Sequence, residues 1–280
     1  MKITVLSGKG GTGKTTVATN LALSLDNVQF IDADVEEPNS YIFVKPDFAD
    51  RSELVLREVP EIDEEKCTNC QQCIDFCEYN ALALFGDNLM VFPKLCHSCG
   101  GCKHICPEEA ITAKDRKTGE IRWDPDINGL EFWQGELNIG EISAVPVIEK
   151  LKEYTNEDKT VIMDAPPGTT CPTVEAVTDS DYCILVTEPT PFGLHDLKMA
   201  VEVVKKLKKP YGVVINRSEE DGDGIIEEYC NVEGIPILLR IPFQREIAEL
   251  YSEGIPFVEE MPEWREHFQE VVCEAKKVVE

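Results

Sequence analysis

Two groups of residues in this sequence have types and spacings suited to chemistry. The first is Gly8-Lys9-Gly10-Gly11-Thr12-Gly13-Lys14-Thr15, a G-x4-G-K-[ST] run that follows an apolar stretch from Lys2 to Leu6 and precedes apolar residues at helical spacing. Glycines in such a loop let backbone N–H groups turn inward around phosphate oxygens, at a helix N-terminus that already favours anions. On this reading Gly8, Gly10, Gly11, Thr12, Gly13, Lys14, Thr15 and Thr16 surround a nucleotide phosphate chain. Lys14 neutralises the β- and γ-phosphates, and the Thr15 hydroxyl ligates Mg2+.

The second group is cysteine. Twelve are present, and eight of them lie between residues 67 and 106. Cys67-Thr-Asn-Cys70-Gln-Gln-Cys73-Ile-Asp-Phe-Cys77 recurs 29 residues later as Cys96-His-Ser-Cys99-Gly-Gly-Cys102-Lys-His-Ile-Cys106. C-x2-C-x2-C-x3-C occurring twice is the bacterial two-cluster ferredoxin arrangement, in which the remote fourth cysteine of each run ligates the other cluster. Carried onto this chain, that crossing gives one [4Fe–4S] cluster to Cys67, Cys70, Cys73 and Cys106. The other goes to Cys96, Cys99, Cys102 and Cys77. Zinc is the competing metal, since paired C-x-x-C also suits a tetrahedral site, but two complete sets of four in this order favour iron–sulfur. Pro107 follows the last cysteine of the second run, whereas Glu78 stands at the matching place in the first. A carboxylate there would lower the potential of a nearby cluster. His97 and His104 sit among the ligands as bystanders. A module this small has little core of its own, so the clusters are expected to stabilise it.

These groups need a frame. Apolar runs at Lys2–Leu6, Val28–Ile31, Thr160–Asp164, Tyr182–Thr187, Tyr211–Asn216 and Ile235–Ile241 read as buried strands, separated by stretches with helical periodicity. The predicted fold is α/β: a mostly parallel, doubly wound sheet with helices on both faces, interrupted by a small α+β ferredoxin-like domain. The ATPase domain is predicted at 1–56 and 116–280, and the inserted domain at 57–115. Within 116–160 the pattern is weak, with a turn expected at Glu136–Gly140 and a helix at Ser143–Tyr154. Cys183, Cys230 and Cys273 fall in strand or helix patterns and read as buried small hydrophobes.

Fifty-three acidic against 27 basic residues give a formal charge of −26, a field that repels nucleic acid and anionic lipid. Neither is expected as a partner, and the local cluster of donors in the glycine loop must overcome that field for nucleotide. No stretch reaches the roughly 18 consecutive apolar residues of a membrane span. The N-terminus reads as a strand running into the loop, without a signal segment, so a cytoplasmic location is expected. Reducing conditions there leave metal binding as the natural use of so many cysteines.

Lys9, a second lysine inside KGGTGKT, makes the loop resemble the deviant Walker-A ATPases, which include septum-positioning, plasmid-partitioning, nitrogenase iron protein and Mrp-like carrier families. Taken with the cysteine module, the chain resembles MinD-superfamily ATPases that carry an inserted ferredoxin domain. The resemblance implies a nucleotide-dependent homodimer with ATP between the subunits, in which Lys9 reaches the opposite subunit's nucleotide. It implies that Asp34 orients the attacking water while Asp32 is structural, the reverse assignment being the alternative. Asp164, ending Val161-Ile-Met, would hold Mg2+ through water, and its Asp-Ala-Pro-Pro-Gly continuation is similar to the Mrp-like carriers. Asn216 and Pro242 would line the adenine. Cys171, seven residues after Asp164, has the offset of a cluster ligand in the nitrogenase iron protein, and a bridging cluster there is a further option.

Three functions follow. The first is an ATP-gated electron carrier serving a redox partner, with slow hydrolysis. The second is an ATP-dependent assembly factor for iron–sulfur or larger metalloclusters, serving an apo-metalloprotein. The third is a nucleotide-controlled positioning switch without redox chemistry.

Overall fold

The computed structural model describes residues 1–219 and 222–279. In chain order the elements are β1 (Lys2–Leu6), α1 (Lys14–Leu23), β2 (Val28–Asp32), α2 (Tyr41–Val44), β3 (Ser52–Ile62), α3 (Gln72–Phe76), β4 (Leu82–Phe85), β5 (Asn88–Val91) and α4 (Gly101–Ile105). They continue with β6 (Ile111–Ile127), β7 (Leu130–Leu137), α5 (Val145–Lys152), β8 (Thr160–Asp164), α6 (Cys171–Thr178), β9 (Tyr182–Thr187) and α7 (Pro191–Lys206). The last are β10 (Tyr211–Ser218), α8 (Gly224–Glu233), β11 (Ile237–Pro242), α9 (Arg245–Ser252), α10 (Phe257–Glu260) and α11 (Glu263–Val279).

Nine strands form one sheet in the order β11-β10-β9-β1-β8-β2-β7-β6-β3. From β11 to β7 the strands are parallel, and β6 and β3 close the far edge antiparallel. The mostly parallel α/β sheet with helices on both faces expected from the sequence is the one observed. The central strands are buried almost throughout, and mostly apolar, because both faces are covered. On one face, Leu197, Ala200, Val201 and Val204 of α7 pack with Ile148 and Leu151 of α5. On the other, Val17, Ala18 and Leu21 of α1 pack with Phe268, Val271 and Val272 of α11. That i, i+3, i+4, i+7 stripe on α7 is what makes it amphipathic, and Thr190 caps it by accepting a 2.9 Å hydrogen bond from Gly193 N. Full burial of each large apolar side chain contributes about 1.5–3 kcal/mol. Cys273 lies off the buried stripe of α11 and is exposed, contrary to the sequence reading; Cys183 and Cys230 are buried.

The weakly patterned stretch 116–160 holds a long hairpin, β6–β7, whose second strand runs beside β2 in register Val28↔Leu130 to Asp32↔Gln134. β7 continues through Glu136 to Leu137, so the turn begins later than expected, where Glu141 N donates to Asn138 O at 3.1 Å. β3 pairs with β6 from Ser52↔Arg122 out to Ile62↔Ile111. Both strands therefore run unbroken from the sheet edge to the cysteine loops, and positions 56/57 and 115/116 lie inside them. Beyond their ends, β4 and β5 form a separate two-stranded hairpin. Cys73, Leu82 and Ile111 are the buried centre of this region. No helix among the described residues is long and apolar enough to cross a membrane.

Candidate functional site

At the carboxyl ends of the parallel strands, three carboxylates and one ammonium meet. Register puts Val5, Asp164 and Asp32 in one row across β1, β8 and β2. Lys14, the first residue of α1, donates from Nζ to Asp164 Oδ1 at 2.7 Å and lies 3.5 Å from Asp34 Oδ2. Thr15 Oγ1 donates to the other Asp164 oxygen, also at 2.7 Å. Asp164 itself is held by its own main chain, with Ala33 N donating to Asp164 O at 2.9 Å and Ala165 N to Val5 O at 3.0 Å. A hydroxyl and a carboxylate in contact offer hard oxygens of the kind Mg2+ takes, directly or through water.

The two aspartates after β2 are placed differently. Asp32 is fully buried and accepts backbone N–H bonds from Asp34 (3.1 Å), Asn39 (3.1 Å) and Ser40 (2.9 Å), which tie down the loop that follows. Asp34 instead lies on the wall of a cleft of about 380 Å³. Burial pushes the Asp34 carboxyl up to about 6, against the pull of the Lys14 charge. Burial, then the charge of Asp164, also raises Asp32. For Lys14, burial alone would lower the ammonium, but Asp164 and Asp34 outweigh it and its pKa is raised.

A raised carboxyl penalises the folded state once it ionises. The penalty is complete above pH 6 and is relieved as pH falls towards the ordinary Asp value near 3.9. Asp34→Asn is therefore expected to stabilise the nucleotide-free protein by about 2 kcal/mol at pH 7.5 and by almost nothing near pH 4. Urea melts at the two pH values check this; an equal effect at both would show that Asp34 is not held up.

Thr15, Thr16, Gly10, Gly11 and Gly13 line the same cleft, as do Asn216 and Pro242. Gly13 adopts φ +86° and leaves no room for a side chain, since a Cβ would stand 2.1 Å from Asn216 Nδ2. That amide donates to Thr12 O at 2.9 Å, so Asn216 braces the loop as well as facing the cleft. Gly8 packs on the main chain of Asp196, and Thr12 Oγ1 is buried without a hydrogen-bond partner among the described residues; neither belongs to the cleft wall. Lys9 lies 3.5 Å from Asp196 and 3.8 Å from Glu188 of its own chain, with the exposed Phe192 ring 6.0 Å away. Phe243, read from the sequence with Ile241 and Pro242 as a wall of the base site, lines the cleft beside Pro242; sequence reasoning missed those two acids and also Ile247 and Tyr251 on the same wall. Nothing in their local spacing signals it.

The cysteine loops repeat each other in backbone as in sequence. Left-handed residues precede each short helix, Asn69 and Gln71 before α3 and Ser98 and Gly100 before α4. Cys77 Sγ accepts from Ala81 N at 3.4 Å and Cys106 Sγ from Ala110 N at 3.3 Å. Cys67, Cys70, Cys73 and Cys106 line one cavity. Cys77, Cys96, Cys99 and Cys102 line another. The fourth cysteine of each run is thus across from its own three. Among the described residues, no three His, Cys, Asp or Glu side chains converge on a point suited to a single ion. Four cysteine sulfurs round each cavity are the donor set that a [4Fe–4S] cluster takes. Tyr79 stacks on His97 at 3.6 Å between ring centres, beside the second cavity. Cys171 is exposed at the start of α6.

Comparison with known proteins bears on the fold and the family. An uncharacterized protein of Methanocaldococcus jannaschii is 34% identical over 263 residues, covering 92% of this chain and 91% of its own. An iron-sulfur cluster carrier protein of Pyrococcus abyssi is 28% identical over 285 residues, covering 92% and 79%. In fold, the septum site-determining protein MinD of Pyrococcus horikoshii, solved with Mg-ADP, superposes with a TM-score of 0.60 at 20% identity, covering 99% of this chain and 95% of that one. Residues 3–257 match the CobQ/CobB/MinD/ParA nucleotide binding domain, and the chain belongs to that family.

Proposed function

We propose that this chain is an ATP-hydrolysing iron–sulfur protein of metallocluster assembly, whose cysteine module supplies electrons to an apo-metalloprotein under nucleotide control. The observation that carries the reading is structural continuity: β3 and β6 are both the edge of the nucleotide-binding sheet and the stems of the cysteine loops. Sequence alone put gated electron transfer first. The iron-sulfur carrier name borne by a relative aligned over 92% of this chain favours assembly as the setting.

In this reading Lys14 binds the β- and γ-phosphates, releasing Asp164 to hold Mg2+ with Thr15. Asp34, freed from Lys14, holds the attacking water as a carboxylate, so hydrolysis declines as pH falls and this burial-raised carboxyl takes up a proton. Asn216 and Pro242 face the base. Lys9 leaves Glu188 and Asp196 for the nucleotide of a second copy, which makes hydrolysis slow in the monomer. When bound, two [4Fe–4S] clusters would supply one-electron transfer. Their thiolates come from Cys67, Cys70, Cys73 and Cys106 on one side and Cys77, Cys96, Cys99 and Cys102 on the other. The chain would work in the cytoplasm.

The second reading is an ATP-gated electron carrier for another acceptor. Eight module thiolates make two full sets and leave none of the module's own for handing a cluster on. One experiment separates the readings. Anaerobic EPR-monitored potentiometry with and without MgATP, against a Lys14→Ala control, is expected to show a nucleotide-linked midpoint shift; 59 mV is a tenfold change for one electron. The reduced protein is then mixed with ferric iron, sulfide and an apo-ferredoxin, so that the electrons needed to bring the iron to the level of a [4Fe–4S] cluster come from the module. Cluster formation in the acceptor that depends on MgATP supports assembly, and electron delivery without it supports the carrier. No shift and no transfer would sink both.

A further inference from the structure

The module and the nucleotide site are joined by more than the two stem strands. Asp34, 3.5 Å from Lys14 Nζ, is followed by Val35, which is wholly buried. Val35 O accepts from Leu137 N at 2.8 Å, just past the end of β2–β7 pairing. Gly135 on β7 is bare where Val35 rests, since a Cβ there would stand 2.7 Å from Val35 Cγ1. Close-packed contacts of this kind have no slack, so a moved Val35 must move β7. The next residue, Asn138, donates from its backbone to Thr118 O at 2.9 Å and from its side chain to Lys117 O at 3.0 Å.

Three residues on, Glu141 forms a two-pronged pair with Arg116, one arm of which measures 2.9 Å. The Glu141 side chain is only 8% exposed and that of Arg116 23%. A pair this shielded is held more firmly than a surface ion pair. Both side chains line one small cavity with Cys96 and Ser98, the loop that supplies a thiolate to the second cysteine set. On the same segment, Gly140 abuts Lys94, whose ammonium stands 2.7 Å from the Cβ position, and Lys94 lines that cavity too. Ser98 N in turn donates to Cys96 Sγ at 3.3 Å. The cavity lined by Cys67, Cys70, Cys73 and Cys106 has no member of this path on its wall.

We infer that segment 138–143, clamped by Arg116 and Glu141, carries the nucleotide state of the Asp34–Val35 loop selectively to the cysteine set of Cys77, Cys96, Cys99 and Cys102. Arg116 and Glu141 are positioning residues, touching neither nucleotide nor sulfur. The inference rests on the nucleotide-controlled reading above for its purpose, but not for its mechanics.

Two measurements test it. Hydrogen exchange on the wild-type protein with MgATP is expected to change at Leu137 and Asn138 and again at residues 94–98. In Glu141→Gln and Arg116→Gln, only the first change remains. Potentiometry is expected to give a nucleotide-linked shift confined to the second cluster, cut at least fivefold in either variant at unchanged iron content and hydrolysis. The exchanged pair, Arg116→Glu with Glu141→Arg, restores it. Exchange that stops at residue 138 in the wild type, or a full effect persisting in both single variants, overturns the path. Exchange that reaches residues 94–98 without any redox shift keeps the path and removes the redox part of the proposed function instead.

Discussion

Replacing Lys14 by alanine is expected to lower ATP hydrolysis roughly 10²–10³-fold, the usual effect of deleting one donor aimed at developing charge. It is also expected to steepen the pH response of the nucleotide-free protein, whose raised Asp34 already makes stability fall as pH rises. Lys14 is the cation that Asp164 meets at 2.7 Å and Asp34 at 3.5 Å, and Asp164 and Asp32 are neighbours in the sheet register. Removing one partner of a buried pair costs about 3–5 kcal/mol when the other stays charged. Without the ammonium, like charges at this spacing favour uptake of a proton by one of the carboxyls. The folded chain then binds more protons than the unfolded chain between the ordinary carboxylate range and the raised value. Its stability falls as pH rises through that window. Lys14→Ala should thus lose several kcal/mol against wild type at pH 8 and much less at pH 5. Denaturant melts at both pH values, with hydrolysis rates, check it. A variant as stable as wild type at pH 8 would mean that water already screens the cluster, and one that still hydrolyses normally would remove Lys14 from the mechanism.

Much of this cluster was legible because its parts lie in short contiguous runs. The glycine loop and Lys14–Thr15 are adjacent in sequence, and Asp164 announces itself as the acid ending an apolar strand. The partners brought in from far away were not legible. Lys9 meets Glu188 and Asp196, and Asn216 Nδ2 meets Thr12 O across 204 residues. Only the sheet order makes those neighbours. The β6–β7 hairpin escaped for a different reason. β6 carries Lys114, Asp115, Arg116 and Lys117 in succession on a part of the strand beyond the helices, so no apolar alternation marks it. Its partner carries Gly135 in mid-strand, which ordinarily signals a break but here makes room for Val35, Val147 and Leu151. Cys273 misled through periodicity read without knowing which stripe of α11 faces the sheet.

The pairing of cysteines across the two runs predicts a pattern in double variants that no local pairing can imitate. If Cys77 belongs with Cys96, Cys99 and Cys102, then Cys77→Ala removes one cluster, leaving about 4 of about 8 irons per chain. Adding Cys99→Ala removes a second ligand of a cluster already lost, so iron content and the remaining EPR signal stay where Cys77→Ala left them. Adding Cys70→Ala to Cys77→Ala instead strikes the other set and takes the iron towards zero. Were each run self-contained, the outcomes would exchange: Cys77 with Cys70 would behave as one, and Cys77 with Cys99 would lose both. Non-additivity is the readout, since residues acting on one unit do not sum. The cross-set double should also melt the module, because Cys73, Leu82 and Ile111 are its buried centre and two of these three are aliphatic. Protease should then cut within residues 63–110 while ATP binding at Lys14 survives, since the sheet core of Ile3, Val5, Ile162 and Ile184 does not depend on those thiolates. Loss of ATP binding together with the clusters would show that β3 and β6 hold the two halves so tightly that neither folds without the other.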